Sequence, residues 1–151
     1  MKVKKLFEDS ILPERAHPTD SGMDVFVHNI KGYPILAETI APGEILKIGT
    51  GIACAVEKGF EIQVRPKSGL ASKYGLTVIN TPGTIDQSYR GEIIIAIINL
   101  SNSIYTLQRD QKIAQLVVAP VVLCEVEEVA ELDETVRGAG GFGSTGASVR
   151  G

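Results

Sequence analysis

The chain has 151 residues, 44% apolar and 22% charged, which makes one domain with apolar side chains enough for a core and excludes a disordered chain. A net charge of −3 with no basic run argues against a grip on long DNA or RNA, while a small phosphorylated ligand needs only a local positive cluster. Two cysteines, Cys54 and Cys124, are too few for a disulfide scaffold or a tetrahedral zinc site. Met1 to Glu8 carries charge with no apolar stretch behind it, so no signal peptide is expected, and no window approaches the roughly eighteen apolar residues of a membrane span. The expectation is a soluble protein in the reducing cytoplasm, with neither membrane nor polymeric nucleic acid as partner.

Ile and Val together number about thirty against 11 Leu, a skew toward strands. In chain order, Ala41-Pro-Gly-Glu44 marks a turn. Phe60 to Arg65 then alternates strictly, with Phe60, Ile62 and Val64 on one face and Glu61, Gln63 and Arg65 on the other. Ser68 to Gly75 predicts a helix of under two turns, with Ser68 as N-cap and Gly75 just past its end. Thr81-Pro-Gly83 is a further turn, and the unbroken apolar run Ile93 to Ile98 predicts a strand buried on both sides. Ile113 to Val118 and Val121 to Val126 read as strands, and the acidic stretch Val126 to Val136 as a solvated strand edge. From Arg137 onward the chain is rich in Gly and Ser and nearly devoid of core residues. Many short strands at this spacing point to an all-β sandwich or closed barrel.

Three stretches suit chemistry. Arg65-Pro-Lys-Ser-Gly-Leu-Ala71 ends a strand and opens the helix, so Arg65, Lys67, the Ser68 hydroxyl and free N–H groups could receive a phosphate. A capped helix with surface bases would account for the same residues. Asn80-Thr-Pro-Gly-Thr-Ile-Asp-Gln-Ser-Tyr-Arg-Gly-Glu92 would form a hairpin holding Asn80, Asp86 and Tyr89 together. Those three offer a base-edge donor and acceptor, a general base and an aromatic face for a sugar. A polar hairpin with Asp86 satisfied locally is the plain alternative. Gly141-Phe-Gly-Ser-Thr-Gly146 matches a dinucleotide fingerprint formally, but only five residues follow it, too few for the helix and strand that motif requires. A mobile arm carrying Arg137, Phe142 and several N–H groups fits a lid over a phosphorylated aromatic ligand. His17 and His28 lie near no second metal-ligand type and read as surface or turn histidines.

Taken in order, these stretches resemble the five motifs of the trimeric dUTPase family. The first resembles Ser21-Gly-Met-Asp-Val25, with Ser21 where Ala is usual, and the second Arg65 to Ala71. The third is Gly83 to Glu92 preceded by Asn80, and the fourth Asp110-Gln-Lys-Ile-Ala-Gln-Leu116, with Arg109 before it where Gly is common. The fifth is Arg137 to Gly146, so the likeness covers about residues 16 to 146. The resemblance implies a jelly-roll-like β-barrel over residues 1–136 with one short helix, and a flexible glycine-rich arm over 137–151. It further implies a homotrimer whose sites, at subunit interfaces, hydrolyse dUTP to dUMP and pyrophosphate.

On that resemblance, Asp86 activates the water that attacks the α-phosphorus. Arg65, Lys67, Ser68, the Gly69 N–H, Gln115 and Arg137 hold the triphosphate, with Gly143, Ser144 and Thr145 completing the cradle. Asn80 and the hairpin backbone at Gly83, Thr84 and Ile85 read uracil, Tyr89 excludes a ribose 2′-hydroxyl, and Phe142 stacks on the base. Mg²⁺ is expected on the phosphates and water rather than on protein ligands. Asp24 either reaches it through water or anchors the arginine of the second motif. A dCTP deaminase of the same fold needs a glutamate near Ala96, where Ile93 to Ile98 supplies no acid. A nucleotide-sensing regulator is the other reading, and it would be marked by loss of Asp86 or Arg137.

Overall fold

The computed structural model of the chain describes residues 1–141. Among them twelve strands and one helix follow one another: β1 Lys2–Lys5, β2 Met23–Phe26, β3 Asn29–Ile30, β4 Tyr33–Pro34, β5 Ala37–Ile40, β6 Ile45–Ala55, β7 Phe60–Pro66, α1 Ser68–Tyr74, β8 Leu76–Val78, β9 Gly83–Ile85, β10 Glu92–Asn99, β11 Tyr105–Gln108 and β12 Lys112–Pro120. Every pairing is antiparallel. One sheet runs β4-β3-β6-β10-β8 with β1 also on β6, a second runs β2-β12-β7-β9, and β5 and β11 form a third. The 11 residues of β6 are long enough to pair with both β3 and β1 along one side.

The sheets share one core, in which Ile40, Ile48, Ile62, Ile95, Leu107 and Leu116 are all fully buried. Branched side chains suit these positions because their stiff χ1 packs well on a pleated surface. The arrangement is jelly-roll-like, in line with the all-β expectation, but the strands belong to three sheets and do not close into one barrel. Among the described residues no helix is long and apolar enough to cross a membrane.

Phe60 to Pro66 forms the expected strand with Ile62 and Val64 inward, although Phe60 itself is exposed. The short helix is also present, and Gly75 ends it at φ 68°, a left-handed value favouring glycine, with its N–H donating to Ala71. Its N-cap is Lys67 rather than Ser68, without a side-chain cap. Ser68 is thus the first helical residue and its hydroxyl is not spent on capping.

Other expectations need correcting. Ile93, Ile95 and Ile97 are buried but Ile94 is 49% exposed, so β10 is covered on one side only within this chain. The unbroken apolar run concealed a strand that alternates like any half-buried one. Val121 to Val126 forms no strand and Val126 to Val136 no strand edge. The ladder between β12 and β7 runs out at Pro120 opposite Phe60, where β7 begins, and beyond it Val122 and Val126 have no strand to pair with. His28 is neither a surface nor a turn residue. It is fully buried, with Asp9 3.1 Å from Nε2 and Asn29 3.3 Å from Nδ1 satisfying both ring nitrogens. His17 does sit in an exposed turn, its N–H donating to Asp20.

Cys54 is 3% exposed, and burial pushes its thiol up to about 11. Only the thiolate reacts, so Cys54 should resist an alkylating reagent at pH 8 until the protein unfolds. Peptide mapping of the labelled native protein checks this, and fast labelling of Cys54 would contradict the packing of β6.

Candidate active site

Asp24 on β2 is 5% exposed and forms the centre of a charged cluster. Its Oδ1 accepts from Lys67 Nζ at 2.6 Å and its Oδ2 lies 2.9 Å from Lys112 Nζ. Antiparallel register explains the meeting. Gln115 on β12 lies between Asp24 on β2 and Arg65 on β7, so the first, second and fourth motifs meet across three adjacent strands. Gln115 donates from Nε2 to the Pro66 carbonyl at 3.0 Å. Its side chain also packs on Gly22, where any Cβ would collide with it. Burial pulls the Asp24 carboxyl up, but the hydrogen bonds and charges of Lys67 and Lys112 outweigh this and hold it below the usual value. Lys112 is held above its usual value, chiefly by its hydrogen bond to Asp24.

Asp24 therefore anchors the lysine of the second motif, not its arginine. With both oxygens facing ammonium groups, it sits in a field that repels a divalent cation. Lys112, which sequence reasoning missed as a site residue, shows in the sequence only as an ordinary lysine of the fourth motif. Arg65 lies on the outer face of β7, where Nη2 donates to Gln63 Oε1 at 2.6 Å and Gln63 in turn donates to Glu61. This row is the polar face that the alternation predicted.

Lys67, Ser68, Gly69, Leu70, Lys73, Tyr74 and Lys112 line a cleft of about 360 Å³. Three lysines and the Ser68 hydroxyl, which has no hydrogen-bond partner among the described residues, suit an anion. Asp86 lies elsewhere. It follows β9, whose Ile85 pairs with Ile62, so the exposed carboxylate stands beside Glu61 at the start of β7. The cleft there, lined by Gly59, Phe60, Glu61 and Gln87 among others, holds about 70 Å³, far less than a nucleotide needs.

The expected hairpin over 80–92 does not form, because β9 pairs with β7 and with no strand of its own segment, and only Asp86 and Tyr89 of the three expected residues meet in a turn. β8 pairs with β10, and the connection between them leaves that sheet to lay β9 against β7. Thr84 pairs with Gln63, and Gly83 sits opposite Val64 with the Asn80 amide close over it. Tyr89 closes a turn on Asp86, its N–H donating to the Asp86 carbonyl at 3.0 Å, and its hydroxyl donates to the Glu92 carbonyl at 3.0 Å. The structure thus brings Asp86 and Tyr89 into one turn. Arg137 is exposed, its Nε donating to Gly140 at 2.9 Å. Phe142, Gly143, Ser144 and Thr145 lie outside the described residues.

The fold is an antiparallel, jelly-roll-like one with cationic donors past one end of β7 and an exposed carboxylate beside Glu61 at the other, and known proteins share the fold. The chain is similar to the dUTPase of Staphylococcus bacteriophage 80alpha, solved as a point mutant with dUpNHpp, at a TM-score of 0.84 and 28% identity over 97% of this chain and 98% of that one. It is also similar to a mutant dUTPase of the S. aureus phage phi11, described with a structural Mg(II) ion, at a TM-score of 0.76 and 26% identity over 88% of this chain and 98% of that one. The deoxyuridine 5'-triphosphate nucleotidohydrolase of Nautilia profundicola is 49% identical over 146 residues, covering 97% of this chain and 98% of that protein. That of Clostridioides difficile is 48% identical, covering 97% of each. The dUTPase family model matches residues 8–146, and the chain belongs to the dUTPase family.

Asp24 gives a stability prediction. A carboxylate whose folded pKa is depressed contributes stability above its unfolded pKa and loses it as pH falls through the folded one. The urea midpoint of the parent should therefore drop as the pH is lowered from 5 toward 2. Asp24→Asn should be less stable at pH 7, by about 1 kcal/mol because Lys67 loses its carboxylate while the partly exposed Lys112 keeps Glu14 at 3.3 Å, and flatter across the acid range. Equal acid limbs would remove the charged cluster as a stabilising element.

Proposed function

We propose that this chain hydrolyses dUTP to dUMP and pyrophosphate, with Asp86 as general base and with sites assembled from more than one copy of the chain. Membership of the dUTPase family supplies the reaction. One observation carries the composite site: β7 separates the groups the reaction needs. Its seven residues span about 20 Å. Asp86 stands at its start, while Ser68 and Lys67 follow its end. A deoxynucleoside triphosphate held at Ser68 leaves its α-phosphorus out of reach of the same chain's Asp86. A second copy, set with its Asp86 turn against the cleft beside α1, brings the two together. The homotrimer of the family resemblance meets this need.

In the assembled site the Asp86 carboxylate accepts a hydrogen bond from water, orients it in line with the α-phosphorus and takes its proton as the P–O bond forms. Pyrophosphate leaves from the opposite side. Arg65, Lys67, Ser68, the Gly69 N–H and Gln115 supply charge and donors to the phosphates. Asn80 and the β9 backbone at Gly83, Thr84 and Ile85 read the base edge, and the Tyr89 ring occupies the place of a ribose 2′-hydroxyl. Residues 137–151 act as an arm that closes a site, with Arg137 on the terminal phosphate and Phe142, Gly143, Ser144 and Thr145 over the base and phosphates.

Among the described residues no three His, Cys, Asp or Glu side chains gather to hold a metal ion. Magnesium, in this reading, would be held by the substrate's phosphates rather than by this chain's side chains, and would supply charge neutralisation there. Cys54 and Cys124 are both free, which suits a reducing cytoplasmic setting. Ala96 faces Lys47 across the ladder between β10 and β6, and neither is an acid, so the deaminase reading gains no support.

Pyrophosphate release should be fast with dUTP and negligible with dCTP, dTTP and UTP. Asp86→Asn should bind dUTP normally and lose turnover by about three orders of magnitude. Near-normal hydrolysis would remove Asp86 as the base. The composite site is tested by refolding a mixture of two inactive variants, Asp86→Asn and Ser68→Ala. Hybrids regain activity when the two motifs come from different chains and stay inactive when they come from one. Truncation before Arg137 should leave a folded protein with little activity, read by circular dichroism and turnover together. Unfolding on truncation would make residues 137–151 structural instead.

A further inference from the structure

Glu92 opens β10 immediately after the Tyr89 turn, and its carboxylate is held from two directions. Oε1 accepts from Asn29 Nδ2 at 2.6 Å and from the Gly51 N–H at 2.7 Å. Neither donor is free to drift. Asn29 is 1% exposed, and its Oδ1 accepts from the Gly32 N–H at 2.9 Å, which fixes the amide orientation. The Gly51 N–H is released from the strand ladder by an irregularity: Glu92 pairs with Ala53 on β6, but Ile94 pairs with Gly49.

Within the irregularity Gly51 adopts φ 71° and Thr50 Oγ1 donates to the Ile93 carbonyl at 2.7 Å. Side-chain groups thus replace the missing ladder bonds. Two glycines leave the room. A Cβ at Gly49 would drive into both the Asn29 amide and Glu92 Oε1, and one at Gly91 would collide with the Tyr89 hydroxyl. The clamp continues into the turn, where Tyr89 Oη donates to the Glu92 carbonyl at 3.0 Å. Tyr89 itself is 42% exposed, so packing alone does not hold its ring.

We propose that Glu92 is a positioning residue for sugar selection: clamped by Asn29 and the bulged Gly51, it holds through its carbonyl the Tyr89 ring that excludes a ribose 2′-hydroxyl. This rests on the role given to Tyr89 above. The bulge in β6 aims an N–H at a side chain, the side chain fixes a backbone carbonyl, and the carbonyl fixes the aromatic ring. A ring free to swing aside would admit UTP while leaving the phosphate donors untouched.

The experiment measures kcat and KM for dUTP and UTP in Tyr89→Ala, Tyr89→Phe, Glu92→Ala and Glu92→Gln, with a thermal melt of each. Tyr89→Ala tests the underlying reading: an unchanged ratio of kcat/KM for dUTP over UTP would show that the tyrosine does not select the sugar. Given a fall there, Glu92→Ala and Tyr89→Phe should each lower the ratio by about tenfold or more. Glu92→Gln, which keeps an oxygen able to accept both bonds, should stay within about twofold of the parent. A merely structural role would lower turnover of both nucleotides together and leave the ratio alone. The proposal is overturned by an unchanged ratio in Tyr89→Phe, or by a loss in Glu92→Gln as large as in Glu92→Ala. Where Glu92→Ala does not fold, Tyr89→Phe decides.

Discussion

Strand β7 is the constraint on which the rest of the functional reading depends. It pairs with β12 on one side and β9 on the other, and both ladders are in unbroken register. A strand held from both sides is extended and stiff, so the separation of its ends is set by residue count. The turn proposed to bind phosphate follows one end, and the exposed Asp86 carboxylate stands beside the other. Local motion cannot bring the two together without breaking both ladders. On the proposed reading a single copy presents two incomplete half-sites, and association would complete them while also covering exposed apolar side chains such as Ile94 and Val122.

Charge is managed differently at the two half-sites. At the cleft beside α1, Asp24 is buried between Lys67 and Lys112, and the three groups fasten β2, β12 and the entrance of the helix. A carboxylate so placed is tolerated only because its partners are within hydrogen-bond distance. Both lysines are held in place by it along the cleft, and among the described residues the Ser68 hydroxyl has no hydrogen-bond partner. At the other end Asp86 is exposed, which fits the water-activating role proposed for it.

Behind the Tyr89 turn lies a polar network that the site itself does not contain. Asn29, Glu92 and Gly51 meet beside β6, next to the buried His28 and its partner Asp9, which also pairs with Arg109 at 2.7 Å. Arg109 further donates to the His28 carbonyl, so the residue standing where a glycine is common has acquired a structural role in this chain. The network is satisfied throughout: among the described residues no buried side-chain nitrogen or oxygen lacks a partner. Such a support can hold a turn firmly while the residues on the turn itself stay open to solvent.

The all-β class, the alternation of β7, the short helix ending at Gly75 and the family motifs were all legible in the residue order. Each is decided by local pattern, whether period-two hydrophobicity, turn chemistry or a glycine at positive φ. The meeting of Asp86 and Tyr89 in one turn was legible for the same reason, since they are three residues apart. The one-sided burial of β10 and the lack of a strand after Pro120 were not, because each depends on which neighbouring strand is within reach. The same holds for the pairing of Asp24 with two lysines rather than an arginine, and for the clamp on Glu92. Asp24 meets Lys67 across 43 positions and Asn29 meets Glu92 across 63. Contacts at such separations follow from strand register, and register is a property of the assembled sheets that no stretch of the chain encodes alone.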